Sequence, residues 1–135
     1  MEHAETNAKY LYSTGVPIIV GTDSVGTMTM NGSSVTVLFG LGVHFEMQSL
    51  MNIVGLSPAE AINAATREAA KWHRLQDRGT IEIGKRANLL MLGSNSLLNI
   101  TNTLDIEKVW VLGAEVARVQ KRDREEMGNP ACAAA

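Results

Sequence analysis

The chain has 135 residues, of which 45% are hydrophobic, enough for one domain with its own core. The formal net charge is -2 and neither half is strongly basic, so the sequence gives no electrostatic footprint for nucleic acid. The only cysteine, Cys132, excludes an internal disulfide and fits a reducing compartment. Because no membrane-length apolar run and no signal-peptide pattern is present, we predict a soluble, cytoplasmic protein without a membrane partner.

The first predicted elements are a helix, a buried strand and a loop that carries a carboxylate. Apolar residues at helical spacing end before Gly15 and Pro17, and residues 16–20 are then almost continuously aliphatic. Such a run is typical of a parallel strand that is buried on both faces. Asp23 follows it, where α/β folds often hold catalytic acids. Asp is also a common turn residue, and the tetrad Gly21-Thr22-Asp23-Ser24 taken alone favours that interpretation.

Two further helices are predicted after a long loop over residues 24–42. The loop is rich in Gly, Ser, Thr and Met and resembles a substrate-binding loop. Apolar spacing predicts a helix over residues 45–54 that ends at Gly55. Ser57, Pro58 and Glu60 then form a capping-box pattern, which predicts a helix over residues 58–72.

From about residue 79 the pattern changes to short strands. Residues 80–83 alternate, residues 87–92 are apolar, and residues 108–112 and 115–118 flank a Gly113-Ala114 pair that suits a type II′ hairpin turn. Residues 120–135 have mixed charge without an apolar face, and we predict a disordered tail.

Six of these pieces, in this order, closely resemble the C-terminal part of the metal-dependent amidohydrolases. The nearest branch contains imidazolonepropionases and Xaa-Pro dipeptidases, and the resemblance covers about residues 5–118. The matching pieces are Gly15-Val16-Pro17-Ile18 with Gly21-Thr22-Asp23-Ser24, His44-Phe45-Glu46, Gly55-Leu56-Ser57-Pro58-Ala59-Glu60-Ala61, Ala64-Ala65-Thr66, Gly79-Thr80-Ile81-Glu82 and Gly84-Lys85-Arg86-Ala87.

The resemblance implies an α/β fold and a hydrolase. Residues 1–78 would be the C-terminal part of a (β/α)8 barrel, with its last strand and helices, and residues 79–119 would be strands of a small β-sandwich. Asp23 would be both a ligand of a divalent metal, most commonly zinc, and the catalytic proton acceptor, while Ser24 and His44 would bind substrate. The implied reaction is hydrolysis of a C–N bond in a small amide-type molecule by a metal-activated water.

The other metal ligands of that family are not in this sequence. One carboxylate is too few for a zinc site, and the spacing of His44 and Glu46 disfavours a local site with Asp23. We therefore expect a piece of a larger enzyme that is inactive alone, that lacks the N-terminal barrel segment and that could form a homo-oligomer. The alternative is a non-catalytic, self-associating module derived from the same fold. The intact tetrad around Asp23 favours the first interpretation.

Overall fold

The computed structural model describes residues 2–23, 27–30, 33–36 and 40–117. These residues form helices, a short 3-10 helix and two antiparallel sheets. The elements are α1 (Glu2–Ser13), β1 (Thr27–Met30), β2 (Ser33–Thr36), α2 (Leu41–Val54), α3 (Pro58–Ala65), α4 (Arg67–Trp72), β3 (Leu89–Leu92), the 3-10 helix (Ile100–Leu104), β4 (Ile106–Val111) and β5 (Ala114–Glu115).

The helices pack in chain order and the sheet follows them. Helix α2 contacts both α1 and α3, and α3 contacts α4. The larger sheet has the order β3-β4-β5, and β1 pairs with β2 in a separate two-stranded antiparallel sheet. The 3-10 helix contacts α2 on one side and β3 on the other, so it joins the helical part to the sheet.

The core lies where α2, α3 and the 3-10 helix meet. Met47, Ala61 and Ile100 are buried together there. Val20 packs against this cluster, which draws the segment before Asp23 toward the helices. No helix within the described residues combines the length and hydrophobicity needed to cross a membrane.

Three helix ends were predicted correctly, because their signals are local. Gly55 caps α2 with a φ of 92°, a left-handed conformation that glycine adopts without strain. The capping box is confirmed: the Glu60 backbone N–H donates to Ser57 Oγ at 3.3 Å, and the Ser57 N–H donates to Glu60 Oε2 at 2.8 Å. Helix α1 ends at Ser13, before Gly15 as predicted.

The prediction of one helix over residues 58–72 is wrong. Thr66 interrupts it with φ −123° and ψ −85°, so α3 ends at Ala65 and α4 begins at Arg67. The Thr66 hydroxyl donates to the Ile62 carbonyl at 2.7 Å. Short hydroxyl side chains make such local bonds to the backbone and can bend helices where they do.

Two predicted strands do not form. Residues 16–20 and 80–83 are assigned to neither helix nor strand, and no strand of the described residues pairs with either segment. Since a strand exists only through a hydrogen-bonded neighbour, an apolar pattern alone cannot create one. The strand predicted over residues 87–92 does form, as β3, because β4 pairs with it.

The loop and turn predictions need correction. Within the predicted loop, residues 27–30 and 33–36 form the paired strands β1 and β2, and α2 begins at Leu41 and not at residue 45. The β4–β5 hairpin is confirmed, but its turn residues are Leu112 and Gly113, both at positive φ, as in a type I′ turn. The 3-10 helix was not predicted from the sequence. The predicted disordered tail lies outside the described residues, as does Arg118 of the predicted hairpin strand.

Candidate functional site

Asp23 stands at the end of a segment that is anchored to the helices. The Val20 N–H donates to the Ala64 carbonyl at 3.3 Å, and residues 18–20 are half-buried. Asp23 itself is exposed and has a φ of 42°, in the left-handed region that Asp tolerates better than most residues. The chain therefore presents an accessible carboxylate three residues beyond an anchored position. Ser24, the predicted substrate-binding neighbour, lies outside the described residues.

His44 lies in the first turn of α2, inside the helix that it was expected to precede. Its Nδ1 is 2.8 Å from the hydroxyl oxygen of Thr103 in the 3-10 helix. Partial burial lowers the pKa of the His44 imidazole below its ordinary value, which favours the neutral ring. His44 is thus a half-buried imidazole that contacts the 3-10 helix.

Thr103 is the functional candidate that sequence reasoning missed. It is only 5% exposed, and its hydroxyl also donates to the Ile100 carbonyl at 2.7 Å. His44 and Thr103 are 59 residues apart, so no local spacing could have joined them. An isolated Thr within a polar stretch carries no signal of its own.

His44 and Thr103 both line a cleft of about 890 Å³ between the helices and the larger sheet. Apolar side chains from α2, α3, α4, β3 and β4 make up most of its wall, with Val43, Met47, Ile62, Ala69, Ala70, Leu89, Leu92 and Ile106 among them. Polar side chains also line it, with His44, Asn63, His73, Arg78, Arg86 and Asn88 among them. A cleft whose surface is mainly apolar, with polar groups at several points, has the composition of a small-molecule site.

The described residues do not assemble a metal centre. Within them, no group of three or more His, Cys, Asp or Glu side chains is close enough to hold an ion. Asp23, His44 and Glu46 therefore make no joint metal site in this chain. The Asp23 carboxylate suits a divalent cation as one hard oxygen ligand, but the donor set found here is too small for one.

Glu60 has a perturbed pKa for structural reasons. Hydrogen bonds from Ser57, first from its side chain and then from its backbone, lower the pKa of Glu60 to about 2, with Tyr12 as a further donor. The Tyr12 hydroxyl donates to Glu60 Oε1 at 2.8 Å and so ties α1 to the start of α3. Because both carboxylate oxygens hold structure in place, we assign Glu60 to the fold.

Asp77 has a similar structural role in the segment between α4 and β3. Arg78 lowers the pKa of the Asp77 carboxyl by donating a hydrogen bond to it, and Arg86 adds to the effect. Arg86 Nη2 lies 2.9 Å from Asp77 Oδ2, and the Arg86 backbone N–H donates to the Asp77 carbonyl at 2.7 Å. Asp77 thereby closes the loop that contains residues 78–85.

The model of the Amidohydrolase family matches residues 2–116, which is most of the chain. This chain belongs to the amidohydrolase family. Members of the family are hydrolases and are typically metal-dependent. The match confirms the resemblance inferred from the six ordered motifs.

Curated and solved relatives agree with this assignment. An imidazolonepropionase of Deinococcus deserti is 30% identical over 110 residues, which are 78% of this chain and 25% of the relative. Molinate hydrolase superimposes with a TM-score of 0.69 at 27% identity, covering 82% of this chain and 26% of that one. A putative prolidase from Bifidobacterium longum gives 0.68 at 26% identity, covering 91% and 29%. This amidohydrolase chain therefore spans about a quarter of the length of these relatives.

Proposed function

We propose that this chain is the C-terminal part of a metal-dependent amidohydrolase that hydrolyses a C–N bond in a small amide-type molecule. Residues 1–78 would contribute the last strand and helices of a (β/α)8 barrel, and residues 79–119 would contribute strands of a small β-sandwich. Residues 120–135 would be a tail without a catalytic role. The proposal depends chiefly on one observation, the exposed Asp23 carboxylate directly after an anchored segment in a chain that matches the family over residues 2–116.

Asp23 is the residue to which we assign the chemistry. Its carboxylate would hold the metal through one oxygen and would accept a proton during the reaction, a role that needs an accessible base close to the reacting water. Zinc, when bound, would supply a water whose pKa is lowered toward neutrality. Since the described residues offer no complete ligand set, the other ligands would come from the barrel segment that this chain does not contain, and the chain alone would be inactive.

His44 and Ser24 are assigned to the substrate. His44 is a neutral imidazole beside a mostly apolar cleft and suits an uncharged polar group such as an amide N–H. Ser24 adjoins Asp23 in sequence, and its hydroxyl could contact the same substrate. The names of the relatives, imidazolonepropionase, molinate hydrolase and prolidase, fit a small substrate with a C–N bond.

The decisive experiment is an activity measurement on the assembled enzyme. The chain is co-expressed with the polypeptide that supplies the remaining barrel, identified as an adjoining reading frame that encodes the N-terminal part of an amidohydrolase. Asp23→Asn keeps the shape of the side chain and removes its charge, so we expect kcat/KM for amide substrates to fall about 100-fold or more. Glu5→Gln, a change to an exposed carboxylate of α1, is the matched control and should leave kcat/KM unchanged.

The metal content of both variants is measured by elemental analysis alongside the activity. Asp23→Asn should also bind zinc more weakly than Glu5→Gln does. Wild-type turnover by Asp23→Asn at saturating zinc would remove Asp23 from the mechanism.

A non-catalytic, self-associating module is the second candidate. The observation that favours it is the exposure of Ile81 and Ile83, which are 87% and 107% accessible, because exposed aliphatic side chains in a soluble chain often mark a contact surface. A defined homo-oligomer of the purified chain, together with a genomic locus that encodes no remaining barrel segment, would support the module. Recovery of turnover on co-expression would exclude it.

A further inference from the structure

Thr103 and His44 make a contact whose hydrogen positions can be assigned. The Thr103 hydroxyl oxygen lies 2.7 Å from the Ile100 carbonyl oxygen and 2.8 Å from His44 Nδ1. Thr103 is 5% exposed, so its hydroxyl has to find its partners within the protein. A threonine hydroxyl has one hydrogen and two lone pairs, and it can donate to only one of these neighbours at a time.

The carbonyl decides which neighbour receives that hydrogen. A carbonyl oxygen can only accept, so the 2.7 Å contact is favourable only if Thr103 donates to Ile100. The Thr103 oxygen then faces His44 with a lone pair. His44 Nδ1 therefore carries a hydrogen and donates to Thr103. In the neutral ring this leaves the lone pair on Nε2.

We infer that Thr103 is a positioning residue, which fixes His44 in its Nδ1–H tautomer so that Nε2 offers a hydrogen-bond acceptor to an N–H or O–H group of the substrate. The substrate part of this inference rests on the role proposed above for His44. Both residues line the cleft. Their contact also joins α2 to the 3-10 helix, so Thr103 couples the geometry of the site to the packing of the 3-10 helix against α2.

If the contact of Thr103 with His44 were only structural, its variants would behave differently. A structural role needs only that the space be filled, which Thr103→Val does with nearly the same shape. A tautomer-fixing role needs the hydroxyl oxygen, which Thr103→Ser retains and Thr103→Val removes. The pair of variants therefore separates the two roles.

The test is the nitrogen NMR spectrum of histidine in the 135-residue chain. The sequence has three histidines, so selective 15N labelling gives few signals, and His3→Gln and His73→Gln assign that of His44 by subtraction. At about pH 8, above the usual histidine range, the ring is neutral and its two nitrogens report the tautomer directly. We expect Nδ1 to be protonated in the wild type and in Thr103→Ser, and that preference to be lost in Thr103→Val.

The wild-type spectrum is decisive by itself, even if circular dichroism shows that Thr103→Val does not fold. A wild-type ring protonated at Nε2 would overturn the inference, and so would an unchanged tautomer in a folded Thr103→Val chain. Neither readout uses activity, so both are independent of whether the chain belongs to a working enzyme. In the assembled enzyme, Thr103→Val should raise KM with kcat near the wild-type value, and an unchanged KM would overturn the substrate-facing part alone.

Discussion

Two short segments that were both predicted to be strands have different fates in this molecule. Residues 89–92 and 80–83 are both short and rich in aliphatic side chains, yet the first pairs with β4 and the second has no partner strand among the described residues. Residues 16–20 also have no partner strand among the described residues. Val20 is held by one hydrogen bond to Ala64 and by packing against the core, and not by a sheet. The difference shows that an apolar run becomes a strand only where the chain supplies its neighbour.

Gly79 provides the strongest test of what holds residues 80–83. A Cβ at this position would lie 2.5 Å from Ala70 Cβ and 3.0 Å from the Thr66 carbonyl oxygen, and its φ is +93°. Gly79→Ala should therefore lower the free energy of unfolding by about 3 kcal/mol, through left-handed strain and overpacking together. Urea denaturation followed by circular dichroism measures this change.

Gly84→Ala is the matched control for Gly79→Ala. Gly84 has nearly the same φ, +88°, but a Cβ added there would meet no atom within 4 Å apart from those of its chain neighbours. Its cost should be about 1 kcal/mol, from backbone strain alone. If the two variants lower the free energy of unfolding equally, Gly79 is not packed tightly against α4. In that case this contact does not hold the start of residues 80–83.

The ends of α1 and α2 and the start of α3 were predictable because their causes lie within a few residues, whereas the start of α2 at Leu41 was not. Ser57 and Glu60 are three positions apart, and their reciprocal bonds follow from sequence alone. The break at Thr66 was not predictable, since a Thr in a helical pattern more often continues the helix than interrupts it. The fate of residues 16–20 and 80–83 was not predictable either, because it depends on strands elsewhere.

Some features of the candidate site could be predicted from local sequence and others could not. The family motifs drew attention to Asp23 and His44 in the sequence, and the assignment of the chain to the amidohydrolases is confirmed. The contact of His44 with Thr103 spans 59 residues and could be found only in three dimensions. The chemical roles of Asp23, Ser24 and His44 stay predictions.

Glu60 allows a test of the capping box, which is the feature that the local sequence determines. Its pKa in the fold is about 2, below the ordinary value of 4.5, chiefly because Ser57 donates hydrogen bonds to it. A carboxylate with a depressed pKa contributes its full stability above the ordinary value and loses it as the pH falls through the folded value. The free energy of unfolding should therefore decrease between about pH 5 and pH 2, and Glu60→Gln should remove part of that decrease.

Glu5→Gln serves as the control for the acid series, since Glu5 is an exposed carboxylate of α1. Asp77 and Glu82 also have lowered pKa values, so some acid sensitivity should persist in Glu60→Gln. The test is the difference between the two variants, measured as urea midpoints across the pH range. If Glu60→Gln and Glu5→Gln give superimposable pH profiles, the capping box does not stabilise α3 in the way described.

The same conservative substitution can be made at a buried isoleucine and at an exposed isoleucine of the unpaired segment. Ile100 is 4% exposed within the core, and Ile100→Val should cost about 1 kcal/mol. Ile81 is 87% exposed, and Ile81→Val should change the free energy of unfolding by less than about 0.5 kcal/mol. A cost for Ile81→Val as large as that for Ile100→Val would show that residues 80–83 are already buried against something in the chain alone. Ile81→Val could also leave the stability of the isolated chain unchanged but destabilise the enzyme assembled by co-expression with the rest of the barrel. That result would show that the alternating pattern of this segment encodes a contact made only in the assembled enzyme.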